Sequence, residues 1–215
     1  MKIQRFILWV TVLATAGMLT SCSIIPQAAP TTIYQLPTAS IETNGAKQLN
    51  VTLCIAQPQA SGLLESARIA VIPQENILSA YPDVRWQSPT PTLLQEYLLD
   101  AFQRAENIAS IISDKQDLYA DYRLDSILHA FHAEYNRGTA QVEIVLDVTL
   151  ANKVTKRILC SRRFTAQLPV NAEQVPQVVA TLGRACNTIA NELTVWVYQA
   201  LHQQISPVTP EKQNS

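Results

Sequence analysis

Glycine is scarce in this chain, five in 215 residues, and no two of them stand close together. That excludes a Gly-rich phosphate loop, and no Gly-x-Ser-x-Gly elbow is present to present a nucleophilic serine. Cysteine is sparser still, four in all, with no Cys-x-x-Cys pair to form a redox dithiol or half of a zinc ribbon. Charge is thin and balanced: 16 Lys and Arg against 17 Asp and Glu, a net −1. A pI near 6.3 shows none of the overall basic charge that marks nucleic-acid binders. No apolar run reaches the ~20 residues that a bilayer-crossing helix needs.

What is there begins with a three-part leader. Lys2 and Arg5 are its positive end, Ile7 to Met18 its uncharged apolar stretch, and Leu19-Thr20-Ser21-Cys22 its close. The apolar stretch is too short for a permanent span and is broken by Thr and Gly, so it predicts an export signal over residues 1–21. An aliphatic residue, two small residues and a cysteine form the pattern of a bacterial lipobox. Cleavage before Cys22 would leave it as the mature N-terminus, carrying a diacylglycerol on sulfur and a further acyl chain, palmitate for example, on the amine. Each buried methylene adds ~0.8 kcal/mol, so two or more chains make a stable anchor. Ser23 follows, where Asp in lipoproteins generally favours the inner membrane; its absence points to the outer membrane, on the periplasmic side. Residues 22–47 hold Pro26, Pro30, Pro37 and Gly45 without sustained periodicity, and predict an extended tether.

Residues 48–205 suffice for one domain, and the polar, proline-bearing 206–215 read as a disordered tail. LNVTLCIA (49–56), ARIAVIP (67–73) and IASIIS (108–113) are predicted strands. Thr90 and Pro91, as N-cap and first helical residue, open a helix whose face is Leu94, Leu98, Ala101 and Ala105. Two long strands, 121–135 and 139–152, are joined by a turn with Asn136 and Gly138. In the second, Ala140, Val142, Ile144, Leu146, Val148 and Leu150 alternate with mostly polar residues, which predicts one buried and one wet face. A third strand spans 156–169. A last helix, from about Ala172 to Gln204, carries the seam Val175, Val179, Leu182, Cys186, Ile189, Leu193 and Trp196. Asn171 with Gln174 resembles a capping box, although Pro176 fits that start badly. The expected fold is α+β, a mostly antiparallel sheet with two helices packed on one face.

Candidate chemistry is meagre, and neither a catalytic residue nor a metal site is expected. His129 and His132, three apart on a strand, should face opposite ways, one exposed and one packed. Asp121, Asp125, Glu134, Glu143 and Asp147 are strand carboxylates that nothing pairs as acid and base. Cys160 and Cys186 fall on inward positions; Cys54, Cys160 and Cys186 are an odd set, and either a disulfide or buried thiols would suit them. Lys153, Lys156, Arg157, Arg162 and Arg163 form a basic cluster that either touches headgroups or an acidic partner, or simply guards a sheet edge. The stretch YPDVRW (81–86) reads as a proline-bordered loop in which Trp86 plugs the helix–sheet junction and Tyr81 and Arg85 are candidate docking residues.

The lipobox, YQLP (34–37), RIAV (68–71), YPDVRWQSPTPTLLQEYL (81–98), ADYRL (120–124), SRRFTAQLP (161–169) and WVYQAL (196–201) occur in that order. Together they resemble the ABC-type transport auxiliary lipoprotein family, which includes the PqiC-type lipoproteins, over nearly the whole mature chain. The resemblance implies a non-enzymatic outer-membrane protein with a core similar to the TolB N-terminal domain. It implies work beside an MCE-domain protein, a permease and an ATPase that move lipids or other hydrophobic molecules between membranes. MCE assemblies are commonly ring-shaped, which a homo-oligomer would match. On that reading Tyr81, Arg85, Arg157, Arg162 and Arg163 are the candidate partner-binding residues, outer-membrane lipid is the anchor's partner, and nucleic acid is not involved. The alternatives are a periplasmic envelope-assembly lipoprotein unconnected with MCE proteins and, more remotely, a hydrolase.

Overall fold

The two long alternating stretches form the spine of the molecule. A computed structural model describes residues 31–42, 45–136, 139–170 and 174–205. The leader, Cys22, the Arg137-Gly138 turn, the Asn171 cap and the tail 206–215 lie outside the described residues. The strands are β1 (Thr32–Tyr34), β2 (Leu49–Ile55), β3 (Arg68–Gln74), β4 (Ile77–Trp86), β5 (Ile108–Ser113), β6 (Tyr122–Asn136), β7 (Thr139–Asn152) and β8 (Arg157–Pro169). The helices are α1 (Thr90–Ala105) and α2 (Val175–Ile205), and a 3-10 turn covers Gly62–Glu65. β6, β7 and β8 pair antiparallel along nearly their full lengths, and β3 pairs antiparallel with β4. Shorter parallel ladders add β2 and β3 to β6, β5 to β2 and β1 to β4. Most paired residues are therefore antiparallel, and the fold is α+β as expected.

β6 shares its second flank between two strands. Its start pairs with β2, from Leu53↔Tyr122 to Ile55↔Leu124, and its end with β3, from Ala70↔His132 to Ile72↔Glu134. The fork leaves backbone groups in between, which the β2–β3 connection satisfies: Gln59 N–H donates to Ser126 O (2.8 Å) and Leu128 N–H donates to Gln59 O (2.7 Å). A bulge interrupts the β6–β7 ladder between Leu128↔Leu146 and Ala130↔Val145. One extra residue, His129, reverses the side-chain parity of β6 at that point. Tyr122, Leu124 and Leu128 are buried before it and Phe131 and Ala133 after it.

Both helices cover one sheet face. Leu94, Leu98, Ala101 and Ala105 of α1 are buried, as are Val179, Leu182, Cys186, Ile189 and Leu193 of α2. Beneath them lie Val142, Ile144, Leu146, Val148 and Leu150 of β7. Trp86 meets Phe131 edge-on (centroids 5.9 Å apart) and Phe164 meets Trp196 likewise (5.6 Å). At about 25 cal/mol per Å² of apolar surface, such burial is the main source of stability. α1 begins one residue earlier than its sequence suggests. Pro89 is the N-cap, and Thr90 bonds outward, its hydroxyl and its N–H both donating to Ser66 O (3.1 Å each). In α2, Pro176 falls in the first turn, where its missing N–H costs nothing.

Of the tether expected over residues 22–47, the described part, from residue 31 on, is not free. β1 extends the sheet at the edge of β4, through Thr32↔Val84 to Tyr34↔Trp86. The chain then runs as a strap along α2. Asn187 Oδ1 accepts from Ser40 N–H (2.8 Å), Asn191 Oδ1 from Glu42 N–H (3.1 Å), and Tyr198 OH donates to Lys47 O (3.0 Å). Ala39 is buried and Leu36 and Ile41 pack against the core. Gly183 makes this approach feasible, because a Cβ there would lie 2.5 and 2.6 Å from ring carbons of Pro37. Proline signalled looseness in the sequence; here it is a packing surface.

Candidate functional site

The two faces and two ends of the sheet place the candidate residues differently. Tyr81 and Arg85 are not on a loop but on β4, whose pairing with β3 skips residues between Arg68↔Arg85 and Ala70↔Ala80. Asp83, at φ 55°, absorbs the irregularity. Pro82 and Asp83 hid the strand, since both are strand-depleted. Tyr81 packs against the core, with its hydroxyl 2.7 Å from that of Tyr135. It is half-buried and braced by that contact rather than freely exposed. Trp86 is fully buried, as its plug-like reading required. Arg85 is exposed, with Arg68 opposite it on β3 and the exposed Ile33 opposite it on β1. Among the described residues no carboxylate pairs with either guanidinium, so two like charges stand side by side.

The basic cluster of β8 is dispersed rather than gathered. Arg162 lies on the helix side, 4.7 Å from the centroid of the Phe164 ring and 3.3 Å from Glu192 on α2. Arg163 lies on the opposite, open face, where it grips both carboxylate oxygens of Asp147 at 2.6 Å. His129 Nε2 is 2.8 Å from the same carboxylate. The bond from Arg163, aided by His129, holds Asp147 down to about 2. Arg157 is exposed beside the β7–β8 turn. The three arginines thus cannot act as one patch.

Two chain connections do meet at one end of the sheet. The β5–β6 connection and the β7–β8 turn are tied by Lys153 N–H donating to Asp121 O (2.9 Å). They expose Leu118 (56%), Tyr119 (69%) and Val154 (62%), with Ile158 (67%) beside them at the start of β8. Lys115, Lys153 and Lys156 belong to the same two connections, and Arg157 opens β8 beside them. Sequence reading passed over these apolar residues because each stands alone in a polar loop. Only the pairing Tyr122↔Asn152 brings the loops together.

The open face is otherwise a set of polar pairs across strands. Gln167 Nε2–H donates to Glu143 Oε1 (2.6 Å), Gln141 Nε2–H to Glu134 Oε2 (3.2 Å), and the Thr149 and Ser161 hydroxyls are 3.0 Å apart. His129 and His132 share this face, because the bulge cancels the opposite orientation expected of residues three apart. The expected difference in exposure holds, with His129 exposed and His132 buried. His132, Glu134 and Glu143 bring three metal-type donors within 4.8 Å of one another. Cys54, Cys160 and Cys186 are free thiols. Burial pushes all three up, so at neutral pH they are protonated and poorly nucleophilic.

Comparison with known proteins agrees with this architecture. A crystal structure of a protein from Xanthomonas campestris superposes with a TM-score of 0.75 at 25% identity, covering 80% of this chain and 98% of that one. Another solved protein, 16% identical with a TM-score of 0.63 over 78% of this chain and 99% of its own, shares the fold. An uncharacterised protein of Bradyrhizobium diazoefficiens is 28% identical over 169 residues, 78% of this chain and 45% of that protein. The chain therefore spans a little under half the length of that relative. Among the described residues no helix is long and apolar enough to cross a membrane. The family model for the ABC-type transport auxiliary lipoprotein component matches residues 34–194, from the strap through most of α2, and the chain belongs to that family.

Proposed function

We propose that this protein is the lipid-anchored, non-enzymatic docking subunit of an ABC-type transport system. Its place is the periplasmic side of the outer membrane, held by acyl chains on Cys22. Its partner is an MCE-domain protein that works with a permease and an ATPase to move lipids or other hydrophobic molecules. Family membership supports the transport role. The observation that carries the docking role is the apolar group Leu118, Tyr119, Val154 and Ile158, presented by adjacent connections at one end of a rigid sheet.

Chain direction supports the orientation. β1 runs parallel to β4, entering the sheet beside Val84 and pointing away from the β3–β4 hairpin. The apolar group lies at the opposite end, with the β7–β8 turn. From Cys22 to Thr31 an extended chain reaches at most ~30 Å at ~3.3 Å per residue. In the proposed orientation the hairpin end of the domain is the one near the membrane and the apolar end is the one toward the periplasm.

Capture of the MCE-domain protein by the full lipidated chain tests this reading. Leu118→Ser with Tyr119→Ala and Val154→Ser should lower capture at least ~10-fold, since a buried aromatic anchor is worth about 1–2 kcal/mol. Arg85→Ala should change it much less. Undiminished capture by the folded triple variant would move the interface to the Arg68–Arg85 edge. No capture by the unaltered protein would favour the envelope-assembly role instead.

A further inference from the structure

His132 is an anomaly on the open face. The residue is 7% exposed, yet it stands in register with the half-buried carboxylate Glu143 on β7, with the small Ala70 on its other side on β3. Its Nε2 is buried and has no hydrogen-bond partner. The closest carboxylate oxygen, Glu143 Oε2, is 3.7 Å away, too far for a hydrogen bond. An orphaned imidazole nitrogen aimed at a carboxylate it does not bond costs free energy unless something else satisfies it.

The surroundings suit a cation. His132 and Glu134 are two apart on β6 and so share a face, and Glu143 stands directly across from His132. One donor from each of the three lies within 4.8 Å of the other two. Among the described residues no lysine or arginine pairs with the half-buried carboxylates of Glu134 and Glu143. Each is steadied from outside by a glutamine: Gln141 holds Glu134 Oε2, and Gln167 holds Glu143 Oε1 while Oε2 faces His132. Hydrogen bonds that orient ligating carboxylates are characteristic of metal sites.

We infer that His132 Nε2 and the carboxylates of Glu134 and Glu143 form a zinc(II) site on the open face of the sheet. Zinc bonds of ~2.0–2.1 Å at a tetrahedral centre place donors ~3.3 Å apart, so the present spacings need only small side-chain adjustments. A mixed nitrogen and oxygen set suits zinc better than magnesium or calcium, which favour oxygen alone. Three protein ligands leave a fourth position for water or for a donor from a docked partner. The bulge at His129 creates the site, because without that extra residue His132 would point into the helix-covered core.

Calorimetric titration of ZnCl₂ into the chelator-treated, tag-free full chain is the test. The expected result is one zinc per chain with micromolar or tighter affinity, and far weaker uptake of MgCl₂ or CaCl₂. Glu134→Gln and Glu143→Gln, both at half-buried positions that tolerate an amide, should each weaken binding at least ~10-fold. His132→Gln should abolish it, while His129→Gln should leave it unchanged. Absence of one-to-one zinc binding would overturn the inference. So would unchanged affinity in both glutamine variants, a calcium preference, or loss of binding in His129→Gln.

Discussion

The two faces of β7 are built from neighbouring residues and do opposite work. Val142, Ile144, Leu146, Val148 and Leu150 are all 1% exposed or less, beneath the helices. Glu143, Asp147 and Thr149 face the other way and bond across to Gln167, Arg163 and Ser161 on β8. Each such exposed pair is worth about 0–1 kcal/mol, against ~1.5–3 kcal/mol for fully burying one aliphatic side chain. The helix-covered face therefore holds the fold together. The open face is mostly polar and paired across strands, with Ile127 and Val145 among its few apolar residues, and recognition is left to the His132 site and to the sheet's ends.

The comparison breaks most sharply at Leu146 and Val145. Leu146→Asp places an unpaired charge in the core, at a cost of several kcal/mol, comparable with the whole stability of a domain. The expected outcome is loss of folded protein. Val145→Lys, one residue along and facing out, should cost ~1 kcal/mol or less. Urea midpoints of the two variants decide it, and similar midpoints would mean the faces are wrongly assigned.

A smaller effect separates the strap from the rest of the helix-covered face. Gly183→Ala drives a methyl group into Pro37, and overpacking of this kind costs about 1–3 kcal/mol. The strap should lift, exposing residues 38–47 to protease while the sheet stays folded. Adding Pro37→Ala removes the ring carbons concerned and should restore both urea midpoint and protection. If the double variant is no better than the single one, the strap is not held by this contact.

Strict periodicity made much of this legible in the sequence. The alternation in β7 marked its bounds, 139–152, and the apolar run of β5 marked 108–113. The seam of α2 was readable because a long amphipathic helix repeats its signal many times. What the sequence concealed depends on partners far along the chain. β4 was obscured by Pro82 and Asp83, which sit at an irregularity visible only against β3. The strap is held by Gly183, Asn187 and Asn191, some 150 positions away, and proline-rich composition carries no trace of them. The zinc-type cluster was hidden for the same reason: strand parity is countable, but a bulge that reverses it is set by the neighbouring strand. The Tyr81–Tyr135 contact was hidden too, because aromatic residues suit both interfaces and cores and the partner lies 54 positions away.

The central claim is that the end carrying Leu118, Tyr119, Val154 and Ile158 meets the transport partner while the opposite end faces the membrane. Site-specific photocrosslinking in living cells tests it most directly. A photoreactive residue in place of Tyr119, 69% exposed, is compared with one in place of Ile77, 48% exposed at the β3–β4 hairpin. The account predicts a covalent adduct with the MCE-domain protein from position 119 and none from position 77. An adduct from position 77 with none from 119 would contradict it.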